Sequence, residues 1–476
     1  MTQAPTVAKP RRTVELFLLT LALGLGIFAN ALVNINLNRP FDSDFYSQAA
    51  VLVVLALAVH VSLRFKAKYA DPVILPVVVA LNGIGLAMIH RLDIATGDNA
   101  ASRQWLWTGL AVAAAVAVLW FLRGHRVLRR FTYISLIVSV VLLILPLVPG
   151  ISAGDVNGAS VWIRLGGSTF QPGEIAKITL AIFFAGYLSS NRDLILLAGK
   201  KMGPLQLPRA RDLGPMIVAW LASVGVLVFQ HDLGTSVLFF GLFMSMIYVA
   251  TSRASWVVIG LVLMAVGGFL AVKIFPHVSA RIDVWANAFS PEVISNGGYQ
   301  VVQGLFGMAN GGLVGTGLGK GRPDMVPLAN SDMIIASLGE ELGMIGLFAV
   351  VMLYLLLITR GFRAALGTRD AFGKLLACGL SFAVGLQCFI VIGGVTRLIP
   401  LTGLTTPFMA AGGSSLLANW IIVALLLLIS DAARRPISTS AVAADDGPED
   451  QGRQGKRNRD RAGIAGDTAI QAVETK

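Results

Sequence analysis

The sequence predicts an all-α polytopic membrane protein of about twelve transmembrane helices with two long extracytoplasmic loops. Three observations lead there. Of 476 residues, 55% are hydrophobic and 13% charged, with a mean hydropathy of +0.74. A soluble domain carries roughly 25% charged residues, so this chain has too few to solvate its own surface, which excludes a soluble enzyme, a disordered chain and a fibre. Second, apolar runs of the length that crosses a hydrocarbon core as a helix, about 20 residues, follow one another along the chain. Third, Lys and Arg gather in alternate connections, which is a topology signal.

The runs fall at about 14–34, 46–64, 71–90, 104–122, 131–149, 173–190, 213–230, 233–251, 255–274, 332–359, 371–395 and 405–430. The first is too long for the apolar core of a cleavable signal and lacks a small-residue cleavage site. With residues 1–13 (Lys9, Arg11, Arg12) placed in the cytoplasm, alternate connections hold Arg64, Lys66 and Lys68; Arg123, Arg126, Arg129 and Arg130; Arg192, Lys200, Lys201, Arg209 and Arg211; Arg253; and Arg360, Arg363, Arg369 and Lys374. Twelve spans with both termini cytoplasmic follow. The net charge of +12 is thereby explained without a nucleic-acid partner. Cys378 and Cys388 share one apolar run and suggest neither a disulfide nor a metal site.

Residues 437–476 are polar and mixed in charge, and read as a disordered cytoplasmic tail. The connections at about 150–172 and 275–331 are too long for simple turns, and such loops are usually functional. Within the second, Val301, Val302, Leu305, Phe306 and Met308 have the spacing of a short amphipathic helix on the outer membrane surface. Gly315–Lys320 resembles a phosphate loop only superficially, because Gly321 stands where Ser or Thr is needed and no strand precedes it.

Ionisable groups at membrane depth are costly, and each is a functional hypothesis. Glu174 and Lys177 share a helix face at i and i+3, with Pro172 suited to the first turn; they read equally as a structural pair or a substrate contact. Gln230, His231 and Asp232 form an outer turn, and His231 reads as structural. Asp332, Glu340 and Glu341 open the tenth run, and Arg397 follows the eleventh. The Gly412-Gly413-Ser414-Ser415 run allows close helix approach. All fall toward the side that holds both long loops.

Five stretches then stand together: Asn157-Gly158-Ala159-Ser160-Val161-Trp162-Ile163-Arg164 leading to Phe170-Gln171-Pro172-Gly173-Glu174-Ile175-Ala176-Lys177; Gln230-His231-Asp232-Leu233-Gly234-Thr235; Gly298-Tyr299-Gln300-Val301-Val302-Gln303; Asp332 through Glu340-Glu341-Leu342-Gly343; and Thr405-Thr406-Pro407-Phe408 with Gly412-Gly413-Ser414-Ser415. Each is weak by itself, but their order across the chain resembles the SEDS family of cell-wall polymerases (RodA/FtsW-type). The resemblance covers residues 71–431, a ten-helix core. Residues 14–70 look like the extra helix pair of actinobacterial members. The run Thr396-Arg397-Leu398-Ile399-Pro400-Leu401 through Pro407 favours the elongation-type, RodA-like branch.

The resemblance implies a peptidoglycan glycosyltransferase that polymerises lipid II at the outer face of the cytoplasmic membrane and works with a class B penicillin-binding protein. It implies inverting transfer, with undecaprenyl diphosphate leaving and a loop carboxylate as base. Lipid II, undecaprenyl diphosphate, the penicillin-binding protein and membrane lipids are the expected partners. No cofactor is named, and a divalent cation, Mg or Mn, is left open. The motifs supply candidate substrate contacts at Arg164, Gln171, Glu174, Lys177, Asp232, Gln300, Gln303, Asp332, Glu340, Arg397, Ser414 and Ser415.

Two departures stand out. The family's Asp-Pro pair ahead of the Gly-Tyr-Gln stretch is missing, and the segment Phe289–Tyr299 looks about two residues longer. Glu292 is therefore the expected base, with Asp283 as fallback. Val161 stands where the family often has Arg, and Arg164 is the expected substitute. A lipid II flippase or transporter and a catalytically impaired scaffold are the competing readings; no two-fold internal repeat supports the first.

Overall fold

The computed structural model describes residues 9–155, 159–191, 199–202, 205–208 and 210–436. The expected disordered tail and the motif residues Asn157 and Gly158 lie outside them. Helices dominate: α1 (Arg12–Asn36), α2 (Ser43–Lys66), α3 (Ile74–Thr96), α4 (Ala100–Phe121), α5 (Thr132–Ile144), α6 (Gly173–Ser190), α7 (Ala210–Phe229), α8 (Leu233–Thr251), α9 (Ala254–Ile274), α10 (Pro276–Ala286), α11 (Tyr299–Gly311), α12 (Ile334–Gly367), α13 (Ala371–Val395) and α14 (Gly413–Arg434). Two short antiparallel hairpins pair Ile163–Leu165 with Ser168–Phe170 and Gly199–Met202 with Leu205–Pro208. The helices belong to one unit, Lys9–Arg434.

Each apolar run thus contains a helix, and most boundaries fall a few residues from those expected; α14, however, starts at Gly413 rather than near 405, and α12 runs on to Gly367 rather than 359. Ten helical segments among the described residues are long and apolar enough to cross a membrane. Gly173–Ser190 and Ala210–Phe229 are not among the ten, and the first carries Glu174 and Lys177 within its 18 residues. The span at 131–149 is a 13-residue α-helix lengthened by 3-10 turns over His125–Phe131 and Leu145–Leu147.

Burial separates the helices by role. In α3, 94% of the apolar stretch is buried, against 6% in α9. Both are apolar all round, so α3 is a core helix and α9 turns its side chains outward, as a lipid-facing helix does. α1 packs along α3. A Cβ added to Gly26 would sit 3.0 Å from the Gly83 Cα, so the small residues set that approach. At one end, Asp71 meets Arg434 at 2.8 Å and Arg360 at 3.7 Å, and the Tyr69 amide donates to Asp431. These contacts tie the start of α3 to the ends of α12 and α14.

The tenth expected span is really two helices in series. α12 breaks at Gly343 (φ 68°, ψ −173°), a conformation essentially reserved for glycine. The exposed helix ends find partners in the glycine-rich loop. Glu340 and Glu341 carbonyls accept from Thr316 and Gly317 amides at 3.0 and 2.9 Å. Met344 and Ile345 amides donate to Gly312 and Leu313 carbonyls at 2.9 and 3.1 Å. A helix end otherwise leaves such groups unpaired. The loop that superficially resembles a phosphate loop is therefore a brace for a discontinuous helix. The expected amphipathic helix exists as α11, with Val301 and Val302 buried and its chain packed on α12.

Candidate active site

At the other end of the bundle, four connections converge. The hairpin at Ile163–Phe170 follows α5. The turn Gln230–Asp232 leads into α8. The loop that carries α10 and α11 precedes α12. Residues 396–412 lead into α14. Between them lies a cavity of about 540 Å³, lined by Val161, Trp162, Gln171, His231, Asp232, Arg281, Gln300, Asp332, Thr402 and Gly403 among others.

Each polar wall residue has a local reason for its place. Asp232 is the N-cap of α8, with Oδ1 accepting the Thr235 amide at 2.9 Å, the usual role of Asp at that position. Burial raises its pKa, against the hydrogen bonds of Thr235 and the charge of Arg281. Arg281, on α10, donates from Nη1 to the Thr402 carbonyl at 2.8 Å and the Leu401 carbonyl at 3.5 Å. Asp332 closes the tight turn Leu328–Met333, just ahead of α12. It touches the cavity yet is walled in by protein, and this enclosure lifts its carboxyl to about 6; the charge of Arg281 opposes the rise and that of Asp232 adds to it. Two further polar atoms of the lining, Gln300 Nε2 and Thr405 Oγ1, are buried without a hydrogen-bond partner among the described residues.

Of the residues expected from sequence, Gln171, Asp232, Gln300 and Asp332 meet in this cavity. The others do not line it. Arg164 is exposed on its hairpin, although the neighbouring Val161 and Trp162 form wall. Glu174 and Lys177 pair at 2.8 Å in the bundle, where Lys177 Nζ also donates to Gln387 Oε1 at 2.7 Å. Glu340 accepts from the Arg322 amide at 2.8 Å and from Asn310 at 3.2 Å, so it braces the glycine loop. Arg397 donates to the carbonyls of Trp285 and Ala286 at 2.7 and 2.8 Å, and caps the C-terminal end of α10. Gln303 lies half-buried on α11. Ser415 bonds Asn419 one turn on, and Ser414 is buried. Gly413 meets the Trp107 ring, which is the close approach the Gly-Gly-Ser-Ser run allows.

Glu292 is exposed on a single helical turn, Pro291–Val293, and Asp283 is exposed on α10; neither lines the cavity. The segment that looks two residues too long contains a π turn, Ile294–Gly298, a feature often found at functional sites.

Arg281 is the wall residue that sequence reasoning missed. Arg91, which does not line the cavity, is another residue sequence reasoning missed: its Nε meets Glu341 Oε1 at 2.9 Å and its Nη2 donates to the Gly321 carbonyl at 2.7 Å, while Glu341 Oε2 accepts the Gly319 amide at 2.9 Å. Neither arginine sits in a motif, and no local signal marks them. Among the described residues no group of three or more His, Cys, Asp or Glu could hold a metal ion.

The FtsW, RodA and SpoVE family of proteins, described as cell cycle proteins, matches residues 72–435. The peptidoglycan glycosyltransferase RodA of Mycobacterium tuberculosis (strain ATCC 25618 / H37Rv) is 48% identical over 447 residues, which is 92% of this chain and 95% of that protein. The probable peptidoglycan glycosyltransferase FtsW of Geobacter sulfurreducens (strain DL-1 / KN400) is 32% identical over 370 residues, 76% of this chain and 95% of that one. Among solved structures, a chain from work on coordination of polymerization and crosslinking by a peptidoglycan synthase complex matches with a TM-score of 0.62 at 25% identity, over 76% of this chain and 98% of that one. The Thermus thermophilus rod shape determining protein RodA matches with a TM-score of 0.53 at 25% identity, over 78% and 98%.

Proposed function

The chain belongs to the FtsW/RodA/SpoVE family and is RodA-like, and on that premise we propose that it polymerises lipid II into glycan strands at the cavity between its outer loops. It is an integral membrane protein and a peptidoglycan glycosyltransferase, the activity that names its 48% identical relatives. The finer reading is ours. The cavity faces outward from the cytoplasmic membrane, both termini are cytoplasmic, and the strand is made during cell elongation. A class B penicillin-binding protein cross-links it, a partnership supported by the likeness to a peptidoglycan synthase complex.

The observation that carries the reading is the cavity itself: Asp232, Arg281 and Asp332 from three segments face one space of about 540 Å³ beside Gln171 and Gln300. A cleft of that size with a few convergent polar groups is the usual form of a small-molecule site. Glycosyl transfer to a hydroxyl needs a proton acceptor near the attacking oxygen and donors near the departing diphosphate. Inversion follows when the hydroxyl attacks the face opposite the leaving group in one displacement. The wall supplies carboxylates and the amide donors of Gln171 and Gln300. Glu292, as base, would require the acceptor hydroxyl to lie at the exposed loop rather than within the wall.

The test is polymerisation of purified lipid II by the purified full chain, with and without its penicillin-binding partner. Glycan strands are expected. Translocation of lipid II across vesicles without strand formation would instead make the chain a flippase, and no turnover with either protein would make it a scaffold.

A further inference from the structure

The end of the bundle opposite the cavity holds a second opening, of about 410 Å³, lined by Arg126, Arg129, Arg130, Asp370 and Phe372. The three arginines come from one 3-10 turn, His125–Phe131, which leads into α5. Asp370 and Phe372 come from the start of α13. That helix runs from this opening at Ala371 to Val395, where residues 396–412 begin to wall the cavity. The two openings therefore lie at opposite ends of one helix. Three guanidiniums around a single space repel one another unless something negative shares it.

The one carboxylate of the lining does not supply that balance. Asp370 is the N-cap of α13, and one of its oxygens accepts the Gly373 amide at 2.8 Å. His125 Nε2 sits 3.0 Å from the other oxygen, and Arg126 Nε donates to it at 3.2 Å. The single charge of Asp370 is thus committed. Arg129 donates to the neutral Ser190 hydroxyl at 3.2 Å. Arg130 has no hydrogen-bond or ion-pair partner among the described residues. Two exposed arginines therefore bring charge that no described residue neutralises. The planar fork of arginine matches the oxygens of a phosphate in pairs, so a phosphate group is the complement that fits the space.

The helix that follows sets the opening at the edge of the hydrocarbon. Tyr133 is exposed just past the arginines, and tyrosine collects at the boundary between membrane and water. Beyond it Ile134, Ile137, Val138 and Val141 are exposed on α5, at the i, i+3, i+4 and i+7 spacing of a single stripe. In a membrane protein such a stripe faces acyl chains. A phospholipid lying along it would carry its phosphate to the level of Arg129 and Arg130.

We propose that this opening binds the phosphate of an anionic phospholipid, held by Arg129 and Arg130 with its acyl chains along the exposed stripe of α5. The chemistry recognised is a phosphate oxyanion, and the apolar stripe is what favours a lipid over free phosphate. A headgroup of net negative charge is preferred to a zwitterionic one, because choline would set a further cation among the arginines. The site joins the turn ahead of α5 to the start of α13. α5 leads to the hairpin at Ile163–Phe170 and α13 leads to residues 396–412, both of which border the cavity. A bound lipid thus secures the far ends of two helices that carry the cavity, without touching the substrate.

The test is native mass spectrometry of the purified full chain with an equimolar mixture of phosphatidylglycerol and phosphatidylcholine that share the same acyl chains. The wild type should retain phosphatidylglycerol in preference. Arg130→Gln should lower that preference about five-fold, and the double variant Arg129→Gln, Arg130→Gln about twenty-five-fold, as expected for basic side chains at an anionic headgroup. Arg123→Gln removes an exposed arginine of the same connection that does not line the opening, and it should leave the preference unchanged. An equal loss in Arg123→Gln, or no loss in the double variant, would overturn the proposal. Inorganic phosphate is the second probe, and it should fail to displace the retained lipid. Arg130-dependent thermal stabilisation by inorganic phosphate, with no preference between the two lipids, would make the ligand a soluble phosphate and overturn the lipid as occupant.

Discussion

Arg281 and Thr402 lock two outer segments together: the guanidinium on α10 donates to the Thr402 carbonyl at 2.8 Å, next to the glycine that flanks Asp332. The contact does two things. It fixes the wall of the cavity, and it sets a positive charge where it draws the Asp332 pKa down against the effect of burial.

Those two effects give a pH prediction with a definite sign. Asp332 is ionised above about 6 and protonated below, so kcat/KM for lipid II should fall as pH drops through that region. Arg281→Gln removes the charge that favours the ionised form. The Asp332 pKa must then rise, and the acid limb of kcat/KM should move to higher pH. A limb that stays in place would separate the profile from Asp332.

The buried pair of Arg91 and Glu341 should be a major stability element. Breaking such a pair from one side strands a charge, at about 3–5 kcal/mol. Arg91→Met should therefore lower the Tm of the detergent-solubilised protein markedly and loosen the loop that Arg91 and Glu341 hold at Gly319 and Gly321. Protease nicking within 312–321 reads the second effect. An unchanged Tm would mean the pair is dispensable.

Gly343→Ala tests the broken helix. A non-glycine residue in this backbone conformation costs about 1–3 kcal/mol, and a Cβ here would also collide with the Gly315 amide. Lower Tm and lower turnover are expected together, because the first half of α12 carries the turn that presents Asp332. A variant as stable as wild type would show that the break relaxes easily.

Lys177, which by sequence reads equally as half of a structural pair or as a substrate contact, pairs with Glu174 and Gln387 inside the bundle. Lys177→Ala should destabilise the protein by about 3–5 kcal/mol, since it leaves Glu174 buried and uncompensated. The double variant Glu174→Gln, Lys177→Met should regain stability. Lipid II affinity in the double variant decides the role: retained affinity makes the pair structural, and loss of affinity makes Lys177 a diphosphate contact.

The helices were legible because their signal is local: about 20 apolar residues are enough to define a span, and each of the twelve runs contains a helix. The break at Gly343 was not, because the unpaired ends of α12 are satisfied by residues some thirty positions earlier. The site was half legible. Gln171, Asp232, Gln300 and Asp332 belong to motifs whose order points to one face. Arg281 lies in an unremarkable stretch, Ser279-Ala280-Arg281-Ile282, and gains its role from carbonyls about 120 residues away. Arg397 has charge and position in its favour, yet turns to the end of α10, because two backbone carbonyls at a helix end, those of Trp285 and Ala286, compete well for a guanidinium.

The most direct test of a reacting centre in the cavity is photocrosslinking to lipid II labelled in its sugar. A photoreactive residue would replace Val284, on the cavity wall, or Leu261, exposed on the lipid-facing α9. After the diphosphate is hydrolysed, a label retained from position 284 and lost from position 261 places the sugar at Asp332 and Arg281. A label absent from 284, or retained equally from both, would contradict it.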